Sequence, residues 1–308
     1  MDLASGIIAA PVLPFDESGS INWPAFDRYL ESVAAGRPKA IAMNMAVSEV
    51  SSLTLAEQTD VIRRAKQVLH GKCTLVSGVN TTNAPAAVDL GRQMVEAGAE
   101  ALVVFPPVPA FLGPVSATMV ADFHADIAKG VDVPLIAFET NFISYPPGSI
   151  SELSKIRNIV SIKDAAFNVD HTVANVKENS RVERPIGLMT GSDTFVLEAI
   201  LMGCNGALIG LAATATAALV EMFDLAAKKK ITEAYEIWNR IAPIARICWR
   251  PPIRDYRVRI KYVLMRQGVI PCMKVRAPFP ELSADDRRDL DEAFEETRFG
   301  NHELLPAG

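Results

Sequence analysis

Eight short aliphatic runs divide this chain at regular intervals: Gly6–Val12, Ala40–Met45, Cys73–Val79, Ala101–Phe105, Pro134–Glu139, Ile159–Lys163, Ile186–Thr190 and Gly206–Ile209. Each run is continuous rather than alternating, as expected of parallel strands covered on both faces. Helical segments with recognisable ends lie between them. Thr54-Leu55-Ala56-Glu57 and Ser149-Ile150-Ser151-Glu152 both carry capping-box spacing, in which hydroxyl and carboxylate satisfy orphan amides reciprocally. Pro85 sits where a first helical turn tolerates it, and Ala87, Leu90, Met94 and Val95 mark one apolar face. Ala35-Gly36, Ala97-Gly98 and Met202-Gly203 each put a glycine able to turn left-handed just before the next strand. This alternation predicts an α/β fold, a closed (β/α)8 barrel of the TIM type. No GxGxxG follows the first run, which weakens a dinucleotide-binding sheet. From about Thr232 the pattern is wholly helical, through Glu233–Ile247, Arg257–Gln267 and Ala284–Arg298. The expected organisation is a barrel over 1–225 with a C-terminal helical extension over 226–308 packed on it.

Composition narrows the function. The chain has 308 residues and 31 Lys+Arg against 36 Asp+Glu, a net charge of −5, which argues against nucleic acid as a partner. The first residues lack a basic stretch followed by an apolar one, so no signal peptide is read and a cytoplasmic protein is expected. Cys73, Cys204, Cys248 and Cys272 form no CxxC and read as free thiols. Ala199 to Val220 carries no charge and is long enough to span a bilayer. Its Gly203-Cys204-Asn205-Gly206 interruption fits a short strand and a buried helix better, and no membrane association is expected. His70, His124, His171 and His302 share no ligand spacing, so neither a metal nor another cofactor is expected.

In such a barrel the chemistry lies at the carboxyl ends of the strands. The sixth run, Ile159-Val160-Ser161-Ile162-Lys163-Asp164, ends on a lysine that would point into the mouth. A free lysine titrates near about 10.4, and bringing it to about 7–8 destabilises the cation by roughly 4 kcal/mol, which a dry barrel can supply. A neutral amine there can attack a ketone and form a Schiff base. The competing reading is an ion pair with Asp164 or a loop carboxylate.

A set of ordered motifs bears on that choice: Pro11-Val12-Leu13-Pro14-Phe15, Gly19-Ser20-Ile21-Asn22, Ser48-Glu49 with Leu53-Thr54 and Glu57, Gly98-Ala99-Glu100-Ala101, Ile162-Lys163-Asp164, Gly191-Ser192-Asp193, and Gly203 with Gly206. With these the chain, from about Gly6 to Phe294, resembles the dihydrodipicolinate synthase / N-acetylneuraminate lyase family of class I aldolase-like barrels. The resemblance implies imine formation at Lys163 with a 2-oxo acid or related aldehyde, and a homo-oligomer, commonly a tetramer built as a dimer of dimers. It also implies that Leu208 offers backbone to the substrate carboxylate.

The departures from the family cluster in the mouth. Its Gly-Thr-Thr-Gly-Glu turn, whose hydroxyls hold the substrate carboxylate, reads Met45-Ala46-Val47-Ser48-Glu49. Its proton-shuttling tyrosine aligns with Phe138, its tyrosine pair after strand four with Pro107-Val108, and its second-carboxylate arginine falls near Ile143. These changes argue against dihydrodipicolinate synthase activity itself. Glu139 is the preferred replacement acid/base, provided the fifth strand ends there, since strand neighbours face opposite ways. Tyr145, Ser48, Asn44, Asn80 and Asn141 are further mouth candidates.

The expected site is therefore Lys163 and Glu139 as catalytic groups, with Ala46, Val47, Phe138 and Leu208 bounding the pocket. The expected function is a Schiff-base-forming lyase, aldolase or dehydratase. The alternative is a non-catalytic binding barrel that has lost its shuttle. A phosphosugar aldolase ranks lower, because Gly191-Ser192-Asp193 and Ile209-Gly210-Leu211 contain no basic residue. The basic run Arg246, Arg250, Arg254, Arg257, Arg259 and Lys261 is expected to dress helices or build subunit contacts.

Overall fold

In the computed structural model, which describes residues 3–107 and 114–305, eight parallel strands close in chain order. They are β1 (Gly6–Ala9), β2 (Ala40–Met43), β3 (Thr74–Val79), β4 (Ala101–Val104), β5 (Leu135–Thr140), β6 (Ile159–Ala165), β7 (Gly187–Thr190) and β8 (Gly206–Ile209). β1 pairs with both β2 and β8, which closes the ring. Nearly every strand residue is buried, as the continuous apolar runs require. Ser161 Oγ donates to the Leu3 carbonyl (2.5 Å), so the N-terminal segment stoppers the amino end of the barrel. Val108 lies outside the described residues.

Helices α1 (Trp23–Ala35), α2 (Leu55–Leu69), α3 (Ala84–Ala97), α4 (Ala117–Gly130), α5 (Ser149–Leu153), α6 (Val169–Asn179), α7 (Val196–Met202) and α8 (Thr216–Ala227) form the outer layer. The capping box at Thr54 is made in both directions. The one expected at Ser149 is not. Gly148 is the cap residue there, and the Glu178 carboxylate from α6 takes the amides of Gly148 (2.9 Å) and Ser151 (2.8 Å) instead. Gly98 and Gly203 are left-handed as expected, but Gly36 is right-handed. A Cβ on Gly36 would lie 2.6 Å from Thr216 Cβ, so close helix contact explains this glycine.

The C-terminal region forms α9 (Ile231–Cys248), α10 (Tyr256–Arg266) and α11 (Ala284–Thr297). The boundary expected near 225 falls inside α8. More telling, α10 is buried continuously from Val258 to Leu264, and the segment around it reaches the barrel mouth. Among the described residues no helix is long and apolar enough to cross a membrane, and the Ala199–Val220 stretch is α7, β8 and α8 in succession. All four cysteines are unpaired.

Candidate active site

At the carboxyl end of the barrel a cavity of about 360 Å³ opens, with Lys163 in its wall. β5 and β6 pair Phe138 with Lys163, and the amine lies 4.2 Å from the centre of the Phe138 ring. Phe105 meets that ring edge-on at 5.0 Å. Gly191 makes room for the lysine stem, since a Cβ there would stand 2.7 Å from Lys163 Cε. Lys163 is 8 % exposed and forms no hydrogen bond or ion pair among the described residues. The expected alternative of a pair with Asp164 is absent: Asp164 faces outward to Thr172 and Asn175 of α6. Burial holds the amine below its ordinary value, to about 8, against the pull of the Asp193 charge.

Asp193, in the loop after β7, is the acidic group of the cavity. Its Oδ1 accepts the Leu211 amide (2.8 Å), and burial raises its carboxyl to about 7. A carboxyl raised beside an amine lowered is a common arrangement where protons move. The sequence contained this residue only as part of Gly191-Ser192-Asp193, a motif of the resemblance with no catalytic role attached to it. The same carboxylate occupies the Leu211 amide that a phosphate would need, which counts against the phosphosugar reading.

Of the expected pocket residues, Ala46, Val47 and Phe138 line the cavity with Lys163. Two others do not. Leu208 is fully buried in β8, paired with Ile8, and the wall at that point is Ala10 and Gly210. Glu139 faces the other way, because β5 continues to Thr140 and the alternation sends Phe138 and Thr140 inward. Its carboxylate, fully buried behind the strand, accepts the Tyr145 amide (2.6 Å), His171 Nε2 (2.9 Å) and Asn175 Nδ2 (2.9 Å). Glu139, Asp164 and His171 bring ligand atoms within 4.8 Å of one another, but hydrogen bonds from backbone, Thr172 and Asn175 occupy the two carboxylates. Burial raises the Glu139 carboxyl, and the hydrogen bond to it raises His171. Tyr145 turns inward to the protein but not to the cavity, donating its hydroxyl to the Phe138 carbonyl (2.9 Å). Of the remaining mouth candidates only Asn141 reaches the wall, whereas Ser48 donates to the Pro11 carbonyl and Asn44 to the Gln58 carbonyl.

The basic run is not a surface stripe. Arg250 pairs with Asp286 and Asp289 of α11, Arg259 is buried against Asp286, and Lys261 forms a fully buried pair with Glu49 (2.5 Å). Arg254 and Arg257 border the cavity, together with Trp249, Ile253 and Tyr256. Tyr256 stacks on Trp249 at 5.6 Å.

A closed eight-stranded barrel with a buried lysine near the carboxyl end of strand six, in no ion pair among the described residues, has the architecture of a class I aldolase-type barrel. The profile of the dihydrodipicolinate synthetase family matches residues 3–297, and the chain belongs to that family, one of Schiff-base-forming lyases. Among curated relatives, the 4-hydroxy-tetrahydrodipicolinate synthase of Pelodictyon phaeoclathratiforme is 27% identical over 298 residues, covering 94% of this chain and 96% of that protein. The enzyme of the same name from Chlorobium chlorochromatii is 26% identical over 294 residues, covering 94% and 95%. Among solved structures, the chloride-inhibited dihydrodipicolinate synthase from Acinetobacter baumannii, complexed with pyruvate, shares the fold. It superposes with a TM-score of 0.86 at 23% identity, covering 96% of this chain and 99% of that one.

Proposed function

We propose that the protein is a Schiff-base-forming lyase acting on a 2-oxo acid or related carbonyl compound, with Lys163 as the condensing amine. The observation that carries this reading is the buried Lys163 amine lining the cavity, with no ion pair within 4.0 Å among the described residues and only the charge of Asp193 acting on it. Burial lowers the amine from its ordinary value, so at pH 7 more of it is neutral than for an unperturbed lysine. The neutral amine adds to the C2 carbonyl, a proton from Asp193 lets the carbinolamine lose water as the protonated imine, and that imine accepts the electron pair when a C–H or C–C bond at C3 breaks. Asp193 takes the role of proton carrier that Phe138 cannot fill. The altered mouth and Phe138 favour a substrate other than that of dihydrodipicolinate synthase. A homo-oligomer remains part of this proposal, although a monomeric dihydrodipicolinate synthase variant has the same fold (TM-score 0.86).

Borohydride trapping with pyruvate and a panel of 2-oxo acids and aldehydes, read by peptide mass spectrometry, tests this. An adduct on Lys163 is expected. Absence of any adduct returns the chain to the non-catalytic reading. Because burial lowers the lysine, the trapping rate should rise about tenfold per pH unit and level off above about pH 8. An amine outside the cavity would keep rising to about 10.5.

Asp193→Asn separates condensation from proton transfer. The adduct should survive, because the amine remains. Exchange of the pyruvate methyl protons in D2O, followed by NMR, should slow by about 10²–10⁴. The pH break should also move lower, since the Asp193 charge supports the Lys163 cation. Unchanged exchange would remove Asp193 from the chemistry.

A further inference from the structure

Arg257, in the first turn of α10, has an incomplete environment. Its Nε donates to the Ala46 carbonyl (2.7 Å) and one terminal nitrogen to the Arg254 carbonyl (3.2 Å). Its planar group lies between two rings, Tyr256 at 4.5 Å and Phe279 at 4.3 Å. Among the described residues no carboxylate comes within 4.0 Å of it. A guanidinium has five N–H donors in a fixed fork. Here two bonds to carbonyls steady the group, and the rest of the fork has no hydrogen-bond partner among the described residues. The residue borders the same cavity as Lys163.

Its anchor point matters. Ala46 belongs to the turn after β2, where the two hydroxyls of the resembled family are replaced by Ala46 and Val47. The chain thus lacks side-chain donors on the turn and supplies a cation beside it from a helix 211 residues away in sequence. Arg254 also borders the cavity, but it is 68 % exposed and sits beside Asp255, so water and that carboxylate compete for it.

We infer that Arg257 holds the carboxylate of the 2-oxo acid whose carbonyl meets Lys163. This rests on the proposed lyase reading for the carbonyl, but the anion site stands on its own contacts. The planar fork matches a carboxylate in a way that an ammonium does not.

The test compares pyruvate with neutral pyruvamide on wild type, R257Q and R257K, by calorimetric binding and by borohydride trapping. Wild type should prefer pyruvate. R257Q should weaken pyruvate binding by about 10- to 100-fold, weaken pyruvamide binding and trapping by far less, and so lose most of the preference. R257K should recover only part of it. Equal loss for both compounds would make Arg257 a brace for the Ala46 turn and overturn the inference, as would an intact preference or no pyruvate binding by wild type. If no compound traps on Lys163 yet pyruvate binding still depends on Arg257, the lyase reading fails and the anion site survives.

Discussion

Replacing Lys163 with methionine is expected to abolish the borohydride adduct and to cut pyruvate methyl exchange by about four to six orders of magnitude, the scale on which removal of a covalent nucleophile acts. Methionine suits the test because it fills the volume of the lysine stem beside Gly191 and Phe138 without an amine. Stability should move the other way. The folded-state value of Lys163 lies below that of the unfolded chain, so between about 8 and 10.5 the unfolded state binds more protons and stability rises with pH. Below about pH 8 the native protein carries the full cost of the buried cation, and methionine removes it. The variant should therefore melt higher than wild type at pH 7, with the gain shrinking towards pH 10.5. Asp193, already raised by burial, then takes up a proton rather than remaining a lone buried anion. An inactive variant that also melts lower would indicate damage to the core and would leave the amine without its assigned role.

The barrel was legible because parallel strands covered on both faces must be apolar throughout, and few other folds make eight such runs in succession. Lys163 was legible for the same reason, as a charge late in an aliphatic strand, although β6 runs two residues further, to Ala165. Glu139 failed on a single residue. A strand ending at Glu139 leaves that side chain free to turn inward, but β5 runs on to Thr140, and one further paired residue fixes the carboxylate on the outer face. Asp193 and Arg257 were hidden for a different reason. Their significance comes from the Asp193 charge acting on Lys163 and from the Arg257 bond to Ala46, which no local spacing encodes. A signal for the C-terminal charges did exist. Val258-Arg259-Ile260-Lys261-Tyr262-Val263-Leu264 has no purely polar face, so a helix formed there buries charge and must pair it. Arg259 finds Asp286 and Lys261 finds Glu49, whereas Arg257, at the edge of that buried stretch, is left facing the cavity.

The Glu49–Lys261 pair should be the most stability-critical polar contact of the mouth. Both side chains are fully buried, and Lys261 also donates to the Lys274 carbonyl (2.6 Å) and lies 4.2 Å over the Phe15 ring. Glu49 accepts the Arg276 amide (3.0 Å) with its other oxygen. Burial lowers Lys261 to about 8, while the Glu49 charge opposes that shift, so the ammonium depends on this one carboxylate. Glu49→Ala leaves the cation unpaired in a dry site, and a loss of roughly 3–5 kcal/mol is expected in urea denaturation. Lys261→Met should be costly as well, because it leaves the buried Glu49 carboxylate with the Arg276 amide in place of its cation. The double variant Glu49→Leu/Lys261→Met should recover much of the loss, since two apolar groups of similar volume owe no desolvation cost. The pair also joins the turn after β2 to α10, the two elements that carry Ala46 and Arg257. Glu49→Ala should accordingly weaken the preference for pyruvate over pyruvamide even where the protein remains folded. A single variant that costs under about 1 kcal/mol would mean that the pair is solvated in solution, as surface pairs of that worth are, and would loosen the coupling argued between helix and turn.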